Sequence, residues 1–275
     1  MKNNEIFNVE LITSKTNSTI VKIAKLTDKK YRKSENLFVC NGKKLFIEAI
    51  NFGAKIKYIV LNNEALFEEN IVGKIVEASM KNVQILCVSD AVFSKLTEEK
   101  SPEGIIVVCE YLDTKHIFSA IVKNIKSNEK IMILESIRDP GNLGTIIRNA
   151  AAFGIEKLIL SSDCVDIYSS KVIRAAMGAI FKVNIEVVSN LAESILSLKK
   201  AGYCVYGAAL EKSSLVLGDQ CLTNTDIIVI GNEGHGLSKE TKDACDNTFL
   251  IPMQDNTESL NAAMAATIFM WEQYK

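Results

Sequence analysis

Five polar side chains in the second half of the chain mark three places where an apolar, strand-like run passes through a loop into a helix-like run. The first place, within 131–154, carries Asn142 in Asp139-Pro-Gly-Asn-Leu-Gly144 and Arg148 six residues later. The second, within 226–238, carries Glu233 in Gly231-Asn-Glu-Gly-His-Gly. The third, within 251–272, carries Ser259 and Asn261 ahead of an Ala- and Met-rich run. A guanidinium stays protonated in essentially any protein setting, so Arg148 suits an anion or a developing oxyanion and not the role of proton acceptor. Glycines at the second place let backbone N–H and C=O groups approach a ligand closely. Neither the Gly-Lys-Ser/Thr of a phosphate loop nor the Gly-x-Gly-x-x-Gly of a dinucleotide site is present there.

Each of these residues also has a plainer reading. Ser259 is a good helix N-cap, and Asn261 reads equally well as a second capping residue. Glu233 could cap the turn that follows it, and Arg148 could sit in a surface ion pair. His235, with an unperturbed pKa of about 6.5, has the range of a general base. A lone histidine in a solvated turn is the better reading.

The elements that must position these groups follow from periodicity. Strands are predicted at 131–134, 157–160, 181–187, 203–208, 227–230 and 248–251, and helices at 144–153, 169–177, 190–201, 238–245 and 259–274. The runs 131–134 and 227–230 are continuously apolar, as parallel strands covered on both faces are. With Asn142 placed in a loop before its helix, the loop must fold back for Asn142 and Arg148 to meet one ligand. Upstream, strands at 37–40, 56–61, 83–88 and 104–111 alternate with helices at 43–52, 71–80 and 90–96, the pattern of a small α/β layer structure. A helical pattern also runs through 14–33, with Ile20, Ile23, Ala24 and Thr27 on one face. Physics alone would favour an open doubly wound sheet for the second half.

The three loop–helix stretches, in this order, closely resemble motifs 1, 2 and 3 of the SpoU/TrmH family of RNA ribose 2′-O-methyltransferases. The resemblance covers roughly 130–275. It implies a trefoil-knotted α/β domain of the SPOUT superfamily that uses S-adenosyl-L-methionine. It also implies that Asn142, Arg148, Glu233, Ser259 and Asn261 form the catalytic set, and that Gly231, Ile251 and Leu260 contact the cofactor. Arg148 would lie beside the target ribose, hold the neighbouring phosphate and stabilise the developing alkoxide. Glu233 would pair with a cation such as Arg148 or Arg174, or with a backbone amide. Ser259 and Asn261 would orient the ribose hydroxyl and the arginine. Asp255 departs from the family, whose members commonly carry Gly there.

Two further segments are cationic. The run Lys29-Lys-Tyr-Arg-Lys33 is the densest basic patch in the chain. Lys29, Lys30, Tyr31, Arg32 and Lys33 would suit RNA backbone contact and base stacking; a solvated helix end complementing its dipole is the alternative. The patch, with Asn17, Lys22, Gly42 and Ser101-Pro-Glu-Gly-Ile105, resembles the L30e-like substrate-binding domain that many relatives carry before the methyltransferase domain. Ser169-Ser-Lys-Val-Ile-Arg-Ala-Ala-Met-Gly178 resembles a family segment between motifs 1 and 2. Lys171 and Arg174 are RNA-phosphate candidates there, and ordinary helix-surface cations equally.

Composition bounds the rest. At 275 residues, 48% hydrophobic and 24% charged, the chain reads as an ordinary globular protein of one large or two small domains. The expected division is a substrate-binding domain at 1–112, a linker at 113–128 and a methyltransferase domain at 129–275. A net charge of −1 gives no global field for nucleic acid, so RNA binding must use local patches. Seven cysteines without a Cys-x-x-Cys spacing, and two histidines, argue for reduced thiols and against a zinc site. No apolar run approaches the ~18 residues of a membrane span, and no signal-peptide pattern opens the chain. The chain is expected to be cytoplasmic, metal-free and, by resemblance, a homodimer acting on RNA. Ribosomal RNA of the large subunit is favoured and transfer RNA is second. A non-catalytic RNA-binding assembly factor is the alternative of a different class.

Overall fold

The structure, a computed structural model, describes residues 2–65, 67–81, 83–112, 129–211, 213–254 and 259–275. Two compact units emerge. The first contains the chain up to Leu112 together with Tyr168–Phe181, and the second contains the remainder. The expected linker at 113–128 lies outside the described residues, as does Asp255.

In the first unit the elements run α1 (Asn3–Ile6), β1 (Leu11–Ile12), α2 (Ser18–Lys25), α3 (Lys29–Glu35), β2 (Leu37–Asn41), α4 (Lys43–Asn51), β3 (Ile56–Asn62), α5 (Glu69–Met80), β4 (Gln84–Val88), α6 (Asp90–Phe93) and β5 (Ile105–Glu110). The sheet order is β1-β4-β3-β5-β2, with β5 antiparallel to both of its neighbours. Ile20 and Ile23 of α2 pack into its core with Leu37, Val60, Phe93 and Val108. The helical pattern of 14–33 is two helices, not one. Asn17 caps the first by accepting from Thr19 N and Ile20 N, and Asp28 caps the second by accepting from Lys30 N at 2.8 Å. Two good caps eleven residues apart divide a run that periodicity alone joins.

The second unit holds β6 (Ile131–Leu134), α7 (Pro140–Ala152) and β7 (Lys157–Ser161). The chain then gives α8 (Ser170–Ala176) and a 3₁₀ turn (Ala179–Phe181) to the first unit. There Tyr168 stacks on Tyr111 with ring centroids 4.0 Å apart and lies 4.7 Å from Phe38. Back in the second unit follow β8 (Asn184–Val188), α9 (Leu191–Lys200), β9 (Cys204–Ala208), β10 (Leu215–Val216), β11 (Asp226–Ile230), α10 (Lys239–Ala244), β12 (Asn247–Leu250) and α11 (Ala262–Tyr274). All seven strands are parallel, in the order β10-β12-β9-β11-β6-β7-β8. The central strands β6 and β11 are buried along their whole length, which is what their unbroken apolar runs require.

In the first unit the helix expected at 90–96 ends at Phe93, and in the second unit three elements start well away from expectation. The strand predicted at 181–187 starts at Asn184, after the 3₁₀ turn. Helix α7 starts at Pro140, so Asn142 lies in its first turn and not in a preceding loop. Proline suits that position because the missing N–H would have no partner there, and Asp139 caps the turn by accepting from Asn142 N at 2.8 Å. Helix α11 starts at Ala262, three residues later than expected. Its cap is Asn261, whose Oδ1 accepts from Ala263 N and Met264 N, and not Ser259.

Candidate active site

The three loop–helix places meet in the second unit, at the carboxyl ends of parallel strands, where open α/β sheets form their ligand crevices. Asn261 Nδ2 donates to Asn142 Oδ1 at 2.9 Å, and Asn142 Nδ2 donates to Glu233 Oε1 at 2.9 Å. Asn232 Nδ2 donates to Ser136 O at 2.8 Å and lies 3.4 Å from Glu233 Oε2. The amide orientations are mutually determined. Asn261 Oδ1 is committed to two helix N–H groups, so only its Nδ2 can face Asn142. Asn142 must then present Oδ1 to Asn261 and Nδ2 to the carboxylate, which only accepts when ionised. Glu233 therefore sits between two side-chain amides and, among the described residues, has no ion pair with Arg148, where a cation or a backbone amide was the expected partner.

The loop that carries Glu233 is staked at both ends by consecutive residues leaving β6. Asn232 and Gly236 exchange backbone bonds of 3.0 and 2.9 Å, closing a tight turn. Asn232 Oδ1 accepts from Gly234 N and His235 N inside that turn, leaving His235 exposed with its backbone engaged. At the far end, buried Glu135 accepts from Ser238 N, Ser238 Oγ and Thr241 Oγ1 at 2.7–2.9 Å. Gly231 has no room for a side chain: a Cβ would come within 2.5–2.7 Å of Gly236 C and O and of Leu237 N. Backbone is the neighbour there, so nothing can swing aside.

Beside this network lies a cleft of about 360 Å³, within the size range of small-molecule sites. Gly231, Ile251 and Leu260, the three expected cofactor contacts, line it, and so do Glu233 and Ser259. Leu210, Ile230, Phe249 and Phe269 supply further apolar wall. A close-approach glycine backbone, an apolar slot and a polar edge fit a ligand with a flat base at one end and a charged group at the other. S-adenosylmethionine is such a ligand. No group of three or more His, Cys, Asp or Glu that could hold a metal occurs among the described residues.

Arg148 lies two turns along α7 from Asn142, exposed, and its guanidinium has no hydrogen-bond or ion-pair partner among the described residues. Ser259 is exposed at the cleft. Sequence reasoning missed Asn232 and Ser136. Asn232 carried a signal, since Asn followed by Gly within a short loop suits a side chain that bonds its own turn. Ser136 carried none.

The cationic candidates lie in the first unit. Lys29, Lys30, Tyr31 and Lys33 are exposed on α3, and Lys25 Nζ sits 5.2 Å from the Tyr31 ring centre. Lys29 and Lys30 open their helix, at the positive end of its dipole, so dipole complementarity does not account for those two, whereas Lys33 lies in the last turn, where it does. Arg32 is a correction. It is 5% exposed, and its guanidinium donates to Leu26 O at 2.8 Å and Thr27 O at 2.6 Å, closing the carboxyl end of α2. A buried arginine committed to backbone carbonyls cannot contact RNA. Lys171 and Arg174 lie on α8, both with exposed side chains.

The chain matches the SpoU rRNA Methylase family over residues 129–271 and the MRM3-like substrate binding domain over residues 17–107. It is 28% identical over 260 residues to the 23S rRNA guanosine 2′-O-methyltransferase RlmP of Bacillus subtilis, covering 94% of this chain and 97% of that protein. It is 33% identical over 199 residues to the 23S rRNA guanosine 2′-O-methyltransferase RlmB of Coxiella burnetii, covering 71% and 78%. The structure of an AdoMet-bound rRNA methyltransferase from Sinorhizobium meliloti aligns with a TM-score of 0.84 at 29% identity, over 96% of each chain. With that match spanning the unit that holds the amide network and the cleft, the chain belongs to the SpoU rRNA methylase family.

Proposed function

We propose that this protein transfers a methyl group from S-adenosylmethionine to a ribose 2′-oxygen of RNA, and that its substrate is ribosomal RNA of the large subunit. The observation that carries the reading is the Asn261–Asn142–Glu233 chain beside a cleft lined by Gly231, Ile251 and Leu260. When bound, S-adenosylmethionine supplies a methyl group already activated by its sulfonium. What remains for the protein is positioning, which accounts for a large share of the acceleration in such transfers. Gly231, Ile251 and Leu260 would hold the cofactor. Arg148, exposed and without a partner among the described residues, would take the phosphate beside the target ribose and stabilise charge developing on the oxygen. Asn142 and Asn261 would fix the geometry of that approach, with Glu233 holding Asn142 in place and Ser259 orienting the hydroxyl.

The favoured substrate rests on the named activities of the relatives, and RNA recruitment on the match to a substrate-binding domain. Lys29, Lys30, Tyr31, Lys33, Lys171 and Arg174 are the proposed RNA contacts. A homodimer is supported by α11, which buries Ala266, Phe269 and Met270 yet leaves Met264, Trp271 and Tyr274 exposed. The trefoil knot and a cytoplasmic location belong to the same proposal, the latter supported by seven cysteines that are all free. Purified protein, tritiated S-adenosylmethionine and ribosomal RNA lacking its modifications test the reading. Label should enter large-subunit RNA and map to one ribose 2′-oxygen. Label confined to transfer RNA would move the substrate assignment; cofactor binding with no labelled RNA would favour a non-catalytic RNA-binding protein.

A further inference from the structure

Ser136 is one of four non-glycine residues with positive φ among the described residues, at φ +55°, in a region that costs an L-residue steric strain. It follows Glu135 at the exit of β6, and its backbone carbonyl is the acceptor for Asn232 Nδ2 at 2.8 Å. Its side chain explains how the conformation is held. Ser136 Oγ donates to Asp163 Oδ2 at 2.6 Å, and Ser136 N donates to Ser161 Oγ at 2.8 Å. Ser161 Oγ in turn donates to Asp163 Oδ1 at 2.6 Å, and Arg138 Nη2 donates to Asp163 Oδ2 at 2.7 Å. Asp163 thus gathers residues from both sides of the bend, the exit of β6 and the exit of β7.

We propose that Asp163 is a positioning residue for the active site: it clamps Ser136 in the left-handed conformation, so that the Ser136 carbonyl orients Asn232 and, through it, Glu233. The inference rests on the methyltransferase reading for its functional consequence, but the clamp itself does not. Among the described residues, Asp163 does not line the cleft and makes no hydrogen bond to any of the five expected catalytic residues. Partial burial pushes its carboxyl pKa up, and bonds from Ser136 and Ser161 with the Arg138 charge more than offset this, leaving it lowered. The acceptor is accordingly ionised at neutral pH. A serine hydroxyl confined by a carboxylate does here what glycine does elsewhere through the absence of a Cβ.

That equivalence supplies the test, a double-mutant cycle of Asp163→Ala in the native and Ser136→Gly backgrounds. In the native background, Asp163→Ala should lower kcat roughly tenfold or more, because misplacement of supporting groups by about 1 Å is costly, with KM for S-adenosylmethionine within about threefold. In the Ser136→Gly background the same substitution should change kcat less than about threefold, since glycine adopts positive φ without a clamp. The Asn232 side-chain amide resonances, followed by nitrogen-15 NMR without cofactor, should move toward solvent values in Asp163→Ala and stay in place in the double variant. A double variant as impaired as Asp163→Ala, or unmoved Asn232 resonances in Asp163→Ala, would overturn the clamp. If the native protein transfers no methyl group, the functional reading fails, and the Asn232 resonances still decide whether Asp163 holds Ser136.

Discussion

Asn261, the cap of the last helix, donates its side-chain amide to Asn142 in the first turn of α7, joining residues 119 positions apart at 2.9 Å. One oxygen on Asn261 closes the helix, and the nitrogen of the same group enters the active-site chain. Capping uses only the oxygen, so the cap reading and the proposed functional reading of Asn261 do not compete for the same atom.

Removing the middle of this chain should uncouple chemistry from cofactor binding. Asn142→Ala removes the partner of Glu233 Oε1 and of Asn261 Nδ2, but Asn142 does not line the cleft. Single-turnover methyl transfer is expected to fall by about 100-fold, the scale on which positioning groups act. Affinity for S-adenosylmethionine, measured by calorimetry, should stay within about threefold. Equal losses in both would place Asn142 in the cofactor site instead.

Gly231→Ala should do the opposite. The added Cβ meets three backbone atoms of the Gly236–Leu237 peptide, so the turn between Asn232 and Gly236 must shift, at an overpacking cost of about 1–3 kcal/mol. Cofactor affinity should drop tenfold or more in calorimetry, while thermal unfolding shows a still cooperative protein. An unchanged dissociation constant would mean that Gly231 does not shape the cofactor site.

The basic run of α3 separates into two roles. Arg32→Ala removes a buried cation from two carbonyls and should lower unfolding stability by about 2–4 kcal/mol in urea titration. Substituting Lys29, Lys30 and Lys33 together by alanine should leave stability within about 0.5 kcal/mol, because all three are exposed. The triple variant should instead weaken RNA binding and flatten its salt dependence. RNA affinity unaffected by the triple variant would remove α3 from the interface.

The cysteines offer a check on burial. Burial pushes the Cys87 thiol up to about 11 and the Cys245 thiol up to about 12, and it raises Cys40 well above its ordinary value. A raised pKa leaves almost no thiolate at pH 8, and the thiolate is the nucleophile. Iodoacetamide at pH 8 should therefore modify the native protein at Cys204 and Cys221, the two exposed thiols. Peptide mass spectrometry showing early alkylation of Cys245 would contradict this.

Much of the second unit was legible because its central strands are buried on both faces, and that burial leaves unbroken apolar runs at Ile131–Leu134 and Ile227–Ile230. The errors lie where two local solutions compete. Ser259 and Asn261 both suit a cap, and only the packed helix shows which oxygen reaches its N–H groups. Asp139-Pro reads as a turn or as the start of a helix, and the pairing of Asn142 with Glu233, 91 residues away, accompanies the helical choice. Arg32 looked like its neighbours because sequence does not show that α2 ends beneath it. The walls contributed by Leu210, Phe249 and Phe269 come from the loop after β9, from β12 and from α11, and no local pattern unites them.

Arg148, exposed and without a partner among the described residues, is proposed to serve the reacting oxygen and not the cofactor. This role is tested most directly by single-turnover methyl transfer with native protein and Arg148→Ala, on unmodified large-subunit RNA and tritiated S-adenosylmethionine, with cofactor affinity measured alongside. The native protein should place label at a ribose 2′-oxygen, and Arg148→Ala should lose about 100-fold or more with cofactor affinity within about threefold. Arg148→Ala transferring methyl at the native rate would contradict the assignment of that residue. No label from the native protein on any RNA, with cofactor bound, would contradict the proposed activity itself.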